Sequence, residues 1–230
     1  MESRIIKSTL KLIVDVVVVV SLFLALSRHF YNSMESLFYD KVTTVFSTNC
    51  LSSFTSWISI AATTGCLVDI PYEVLKLTKK GDLEFKGLDI SKFIISVSLV
   101  ITFFTVLLVI FPLTIILKGS AKESFQINYL SGNLYTHIVI PILFVISFIF
   151  FDEKTKISRK SCIFSTFPLI IFIFFYALLV YVFKTWEDSY HTLEAAKYVT
   201  IYGVALLTVI LIAITALVGL LLRKIKDPNN

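Results

Sequence analysis

Seven glycines, five prolines, three cysteines and three histidines are all that 230 residues hold of the types that most often make turns, cross-links and metal sites. Three cysteines do not make a disulfide framework. Cys50 and Cys66 fall on one predicted helix, about 24 Å apart at 1.5 Å per residue, so they cannot pair. Cys66 and Cys162 both fall near the predicted cytoplasmic face, where thiols stay reduced. The chain has no phosphate-binding glycine loop, no dinucleotide fingerprint, no His-Glu-x-x-His pair and no Cys-x-x-Cys. No cofactor is expected from it. Internal repeats and low-complexity tracts are absent as well.

What the chain has is hydrocarbon. Hydrophobic residues make up 57% of it and charged residues only 16%. Between the charges lie six runs at 12–27, 42–68, 93–117, 134–151, 163–183 and 198–222, and about 20 apolar residues suffice to cross a hydrocarbon layer of roughly 30 Å. The expected fold is all-α, a single transmembrane domain of six helices over residues 1–230. The first and fourth runs are short, and Lys7 and Lys11 can lengthen the first by snorkelling. Three basic residues before a short apolar run also suit a signal peptide, but Leu24-Ala25-Leu26-Ser27 is a poor cleavage site, which favours a retained first helix.

Lys and Arg then set an orientation, because cytoplasmic loops carry their excess. The N-terminus, the second and fourth loops and the C-terminus hold fifteen of them against six in the other three loops, which puts both termini in the cytoplasm. The net charge of +5 is spread over all those loops without a recognition motif. Anionic headgroups explain it better than nucleic acid. Membrane lipids are the expected partners, while the oligomeric state is left open.

Two polar features interrupt the apolar runs. The second carries Thr44, Thr48, Ser52, Thr55, Ser59 and Thr63 at steps of four or three, which is one helical stripe. Small hydroxyl residues let membrane helices approach closely, a sufficient reason for the stripe; its outer end, with Asn49, also suits a polar pocket. The second feature is His137, in Asn133-Leu-Tyr-Thr-His137-Ile-Val-Ile-Pro141. A titratable ring in an apolar run is costly and is usually there for a use. Pro141 lacks the N–H that would bond the carbonyl of His137 four residues back.

The second and fourth spans run in the same direction, so Thr44, Ser47, Thr48 and Asn49 share the outer half of the membrane with Asn133 and His137. His29 and His191 fall on that side too; imidazole is a common zinc ligand, but no metal site is expected. The loop Trp186-Glu187-Asp188-Ser189-Tyr190-His191 adds Asp188, a carboxylate suited to orienting His137, although interfacial anchoring by Trp186 and Tyr190 is the simpler reading. At the opposite face Asp15 follows Lys11 by four residues, which reads as an interfacial ion pair, with a proton-coupling carboxylate as the alternative. The charged stretch from Asp69 to Lys92 reads as a solvated cytoplasmic turn.

The run Leu-Tyr-Thr-His137-Ile-Val-Ile-Pro141-Ile-Leu-Phe, with Phe150-Phe151-Asp152, a basic turn, Phe167-Pro168-Leu169 and Tyr176, resembles bacterial six-helix membrane proteins related to the androgen-induced membrane hydrolases. Ser47-Thr48-Asn49 and the six-span layout extend the likeness. The resemblance implies a threonine hydrolase acting on fatty acid esters of hydroxy fatty acids, with His137 as the family's histidine. The family's threonine stands three residues before an Asn-like position, which here is Phe46, with Thr44 and Thr48 on either side.

A lipid-ester hydrolase of this kind would use Thr44 or Thr48 as nucleophile, His137 as base and Asn49 as an oxyanion donor. Its acyl-ester substrate would enter from the outer leaflet, and a bacterial plasma membrane is the favoured location. The alternative is a non-enzymatic protein that binds or transports a lipid or small molecule in the same outer pocket. The carbonyls freed by Pro112, Pro141 and Pro168 would suit such a path.

Overall fold

The structure, a computed structural model, describes residues 2–37, 53–78, 86–130, 132–152, 156–186, 188, 190 and 192–227. Thr44, Ser47, Thr48, Asn49, Cys50, Ser52, Glu187 and His191 lie outside the described residues, as does the side chain of His29. No strand occurs among the described residues.

Ten α-helical stretches follow one another: α1 (Glu2–Leu37), α2 (Phe54–Leu77), α3 (Lys86–Thr105), α4 (Phe111–Lys118), α5 (Ala121–Tyr129), α6 (Gly132–Leu134), α7 (Ile140–Ile146), α8 (Arg159–Phe164), α9 (Phe167–Ala177) and α10 (Thr192–Lys226). Several join end to end, giving six helices long and apolar enough to cross a membrane: Ile5–Leu26, Phe54–Leu77, Leu88–Ile116, Gly132–Phe151, Arg159–Val182 and Ala205–Lys226. That is the makeup of a multi-pass integral membrane protein.

The joins are wide turns with bonds to the fifth residue back. One spans Val106–Ile110 and another Tyr135–Val139, and each is followed two residues later by a proline, Pro112 or Pro141. The Ile140 N–H bonds the Tyr135 carbonyl and the Phe111 N–H bonds that of Val106. Proline removes one i−4 bond, and the widened turn takes up the change in bonding register. His137 lies in the middle of such a turn. Pro168 stands instead at the start of α9, after a break at Ser165 and Thr166.

Burial follows helical spacing. On α1 the buried positions are Ser8, Lys11, Asp15, Val18, Ser21 and Ala25, while Ile6, Ile13, Val20 and Phe23 point outward. Within the apolar run the polar residues Asp15 and Ser21 face the interior while many apolar ones face the exterior, as expected when the surrounding solvent is hydrocarbon. On α2 the hydroxyl stripe does face inward, through Thr55, Ser59 and Thr63, and it continues as Cys66, Asp69 and Glu73. Apolar packing fills the remaining interior. Val18, Ile58, Ala62, Leu99, Ile140, Phe144 and Phe172 belong to one cluster; Phe93, Val97, Phe148, Ile157 and Leu222 belong to a second. Near that second cluster α10 meets α8 closely, and a Cβ at Gly219 would lie 3.0 Å from Ser165 Oγ and 3.3 Å from the Cys162 carbonyl.

Two readings of the charged residues are overturned. Lys11 does not pair with Asp15: its Nζ lies 2.9 Å from Asp69, 2.9 Å from Glu73 and 2.6 Å from Asp152. The stretch from Asp69 to Lys92 is not simply a solvated turn, because α2 runs on to Leu77 and Asp69, Glu73 and Lys92 are all buried. The cause in both cases is cross-bundle pairing, which makes burial of these charges tolerable.

Candidate functional site

The described bundle has two polar regions at opposite ends. One is ionic. Lys92 bonds Asp69 and lies 3.1 Å from Asp152, so Asp69 and Asp152 each sit between Lys11 and Lys92. Glu73 takes Lys11 and the Ser8 hydroxyl, the latter at 2.7 Å, with Lys76 at 3.4 Å. Lys226, from the last turn of α10, donates to the carbonyls of Phe148 at 2.5 Å and Asp152 at 2.8 Å. Burial pushes the Asp152 carboxyl up, but the ammoniums of Lys92 and Lys11 outweigh it and hold the group below the usual carboxylate range.

The other end is built from rings and hydroxyls. Phe172 is the hub of an aromatic cluster, with Trp57 at 5.6 Å, Trp186 at 6.5 Å, Tyr176 at 5.6 Å and Tyr190 at 6.1 Å between ring centroids. Asp188 ties the chain between α9 and α10 to this cluster. Its Oδ1 accepts from the Tyr176 hydroxyl at 2.6 Å, the Thr192 N–H at 2.9 Å and the Thr192 hydroxyl at 2.7 Å. The Tyr176 oxygen accepts in turn from the Tyr190 N–H at 3.2 Å. The Tyr190 oxygen accepts from the Phe54 N–H at 2.8 Å, one of the orphan donors at the start of α2. Burial pushes the Tyr190 phenol up, so it stays a neutral partner for that bond.

Beside these groups lies a cavity of about 340 Å³. Its walls are Ile101, Val106, Leu169, Phe172, Ile173, Ala177 and Leu211, with the hydroxyl residues Thr55, Thr102, Thr105, Tyr176, Tyr190 and Thr208 among them. One of these threonines is already bonded to its own helix: Thr102 donates to the Ser98 carbonyl at 2.7 Å. The surface is therefore more apolar than its composition implies. The volume falls in the range of small-molecule sites, and the lining, apolar with a few placed polar groups, matches them in kind.

His137 stands elsewhere. It is half-buried, and its Nδ1 lies 2.8 Å from the Asn128 carbonyl at the end of α5. A carbonyl only accepts, so Nδ1 carries the proton and the basic lone pair of the neutral ring lies on Nε2. Asn128 is itself anchored, donating to the Ser124 carbonyl at 2.9 Å and the Thr114 hydroxyl at 3.3 Å. Asn133 is half-buried in α6, one turn before His137. His137 is not among the residues lining the cavity, and Asp188 bonds Tyr176 and Thr192. Tyr176 and Tyr190 enter the sequence reading only within the resemblance and as an interfacial anchor, and Thr102 and Thr105 do not enter it. The Thr102 and Thr105 pair, three residues apart on an apolar helix, repeats the signal that exposed the stripe on α2.

No three or more His, Cys, Asp and Glu side chains among the described residues are placed to hold a metal ion. The cysteines Cys66 and Cys162 are buried free thiols. No known family, no curated protein and no solved structure matches the chain.

Proposed function

We propose that this chain is a multi-pass membrane protein that binds a lipid acyl chain in the cavity between α2, α3, α9 and α10. The single observation behind this reading is the cavity's lining: apolar walls suited to methylenes, with the hydroxyls of Tyr190 and Thr105 beside them for an ester or carboxyl group. With both termini in the cytoplasm, as the Lys and Arg counts argue, the cavity end faces outward, in a bacterial plasma membrane. The protein's only two tryptophans, Trp57 and Trp186, both pack on Phe172, a cavity wall. A fatty acid brominated along its chain is the probe, because bromine quenches indole emission on contact. Saturable quenching that Ala177→Phe removes supports the reading; quenching that rises linearly with probe and is unchanged in Ala177→Phe refutes it.

A second reading adds chemistry, and the Nδ1 bond of His137 to Asn128 favours it. That bond places the lone pair on Nε2, as a general base for a threonine hydroxyl requires. His137 would serve Thr44 or Thr48, with Ser47, Asn49 and Asn133 nearby on a lipid ester. A fluorophosphonate hydrolase probe tests it. Labelling lost in His137→Ala and in Thr44→Ala or Thr48→Ala supports hydrolysis, and absence of labelling together with no turnover of lipid esters leaves the binding function alone.

A further inference from the structure

Seven Lys, Asp and Glu side chains are buried among the described residues: the amines Lys11, Lys92 and Lys226, and the acids Asp15, Asp69, Glu73 and Asp152. Three acids are accounted for. Asp69 and Asp152 sit between Lys11 and Lys92, and Glu73 takes Lys11 and Ser8. Asp15 is the acid left over.

It is only 2% exposed, and its Oδ2 has no hydrogen-bond partner among the described residues. The groups facing it are Lys11 on its own helix, the Cys66 thiol and Asp69 on α2, and Lys92 on α3. Both amines are already engaged by the other acids, Asp152 of the fourth span included. The thiol is a weak donor and offers no charge. A bare carboxylate in this position would be an uncompensated charge without water, whereas the protonated acid is neutral.

We propose that Asp15 is an exchangeable proton-binding site inside the bundle. Two further hydroxyls, Ser59 on α2 and Ser96 on α3, are fully buried and without a hydrogen-bond partner among the described residues. From Cys66 the α2 stripe passes through Thr63 and Ser59 to Thr55 on the cavity wall, about 16 Å at 1.5 Å per residue. Successive hydroxyls on that stripe stand about 6 Å apart at 1.5 Å per residue, so the stripe marks a polar helix face between Asp15 and the cavity end and not a continuous chain of hydrogen bonds.

Dicyclohexylcarbodiimide tests the site in the full chain held in a bilayer. The O–H of a protonated carboxyl adds across one C=N bond, with the proton passing to nitrogen and the carboxyl oxygen bonding to carbon. The acyl group then shifts from oxygen to nitrogen, and nothing leaves. Peptide mass spectrometry should find the adduct on Asp15 rather than on Asp69, Glu73 or Asp152. Its yield should fall about tenfold for each pH unit above the titration midpoint. Asp15→Asn, which mimics the neutral acid in shape, should fold and lose the adduct. Absence of an Asp15 adduct at every pH from about 5 to about 9 overturns the proposal, as does equal labelling of Asp69 and Asp152. The wild-type protein alone decides the matter, and neither outcome bears on acyl-chain binding.

Discussion

The two ends of this bundle bury polar groups in opposite ways. At the ionic end, full charges from α1, α2, α3 and the end of the fourth span close on one another at 2.6–3.1 Å, and carbonyls of Phe148 and Asp152 take the remaining amine, from α10. At the aromatic end, phenols and threonines bond one carboxylate and their own helices, and a cavity of about 340 Å³ stands beside them. Charge buried without water must be matched closely and on several sides. Hydroxyls satisfied within their own helix make no such demand. The end that does not need to close is the end that holds the cavity and the one proposed to take a ligand.

The comparison breaks most visibly at Lys11. Lys11→Met strands Asp69, Glu73 and Asp152 with too few cations, and removing one partner of a buried pair costs about 3 to 5 kcal/mol. Thermal unfolding in detergent should show that loss, while Thr105→Ala at the cavity changes stability little. Equal effects would erase the distinction between the ends.

Acid should reach the ionic end first. The Asp152 carboxyl is held below the ordinary range, so the stability it contributes is present above the unfolded value of about 3.9 and is lost as pH falls through the lower folded value. Unfolding temperature should not fall between neutral pH and about pH 5, where proton uptake by Asp15 in the folded state adds stability, and should decline below about pH 4. A protein equally stable at low pH would mean that these pairs contribute nothing.

A smaller effect belongs to the aromatic end. Tyr176→Phe removes one of three donors to Asp188, and a hydrogen bond to a charged group is worth about 1.5 to 3 kcal/mol. The loss should be accompanied by faster amide exchange at Thr192, whose N–H shares the same oxygen. Gly219→Val probes the contact between α8 and α10 away from the buried charges and the cavity. A side chain there meets the Cys162 backbone, and overpacking of that kind costs about 1 to 3 kcal/mol, measured by the same thermal series.

Six membrane-length helices are legible in the sequence because long apolar runs are a strong signal. Where the helices end is less so. Treating every charge as a boundary trims the first span at Leu12 and the second at Val68, whereas the apolar helices run from Ile5 and on to Leu77. Lys11 lies inside the bundle because its acids Asp69, Glu73 and Asp152 are 58 or more residues away in the chain, and Asp69 also meets Lys92 on the next helix, pairings that local spacing does not reveal. The inward stripe on α2 was readable from its period, but not its continuation into Cys66, Asp69 and Glu73. Asp188 reads in the sequence as a carboxylate suited to orienting His137, and in the structure it bonds Tyr176 and Thr192. Its bond to Tyr176 depends on how the chain turns back between α9 and α10, which residue order alone leaves open. His137 was conspicuous by its chemistry, and the bond from Nδ1 to the Asn128 carbonyl depends on a widened turn followed by Pro141.

Quenching of Trp57 and Trp186 by a chain-brominated fatty acid is the most direct measurement of all. Acyl-chain binding at the aromatic end predicts quenching that saturates, survives Lys11→Arg at the ionic end and disappears in Ala177→Phe. Quenching that never saturates and is the same in Ala177→Phe would contradict it.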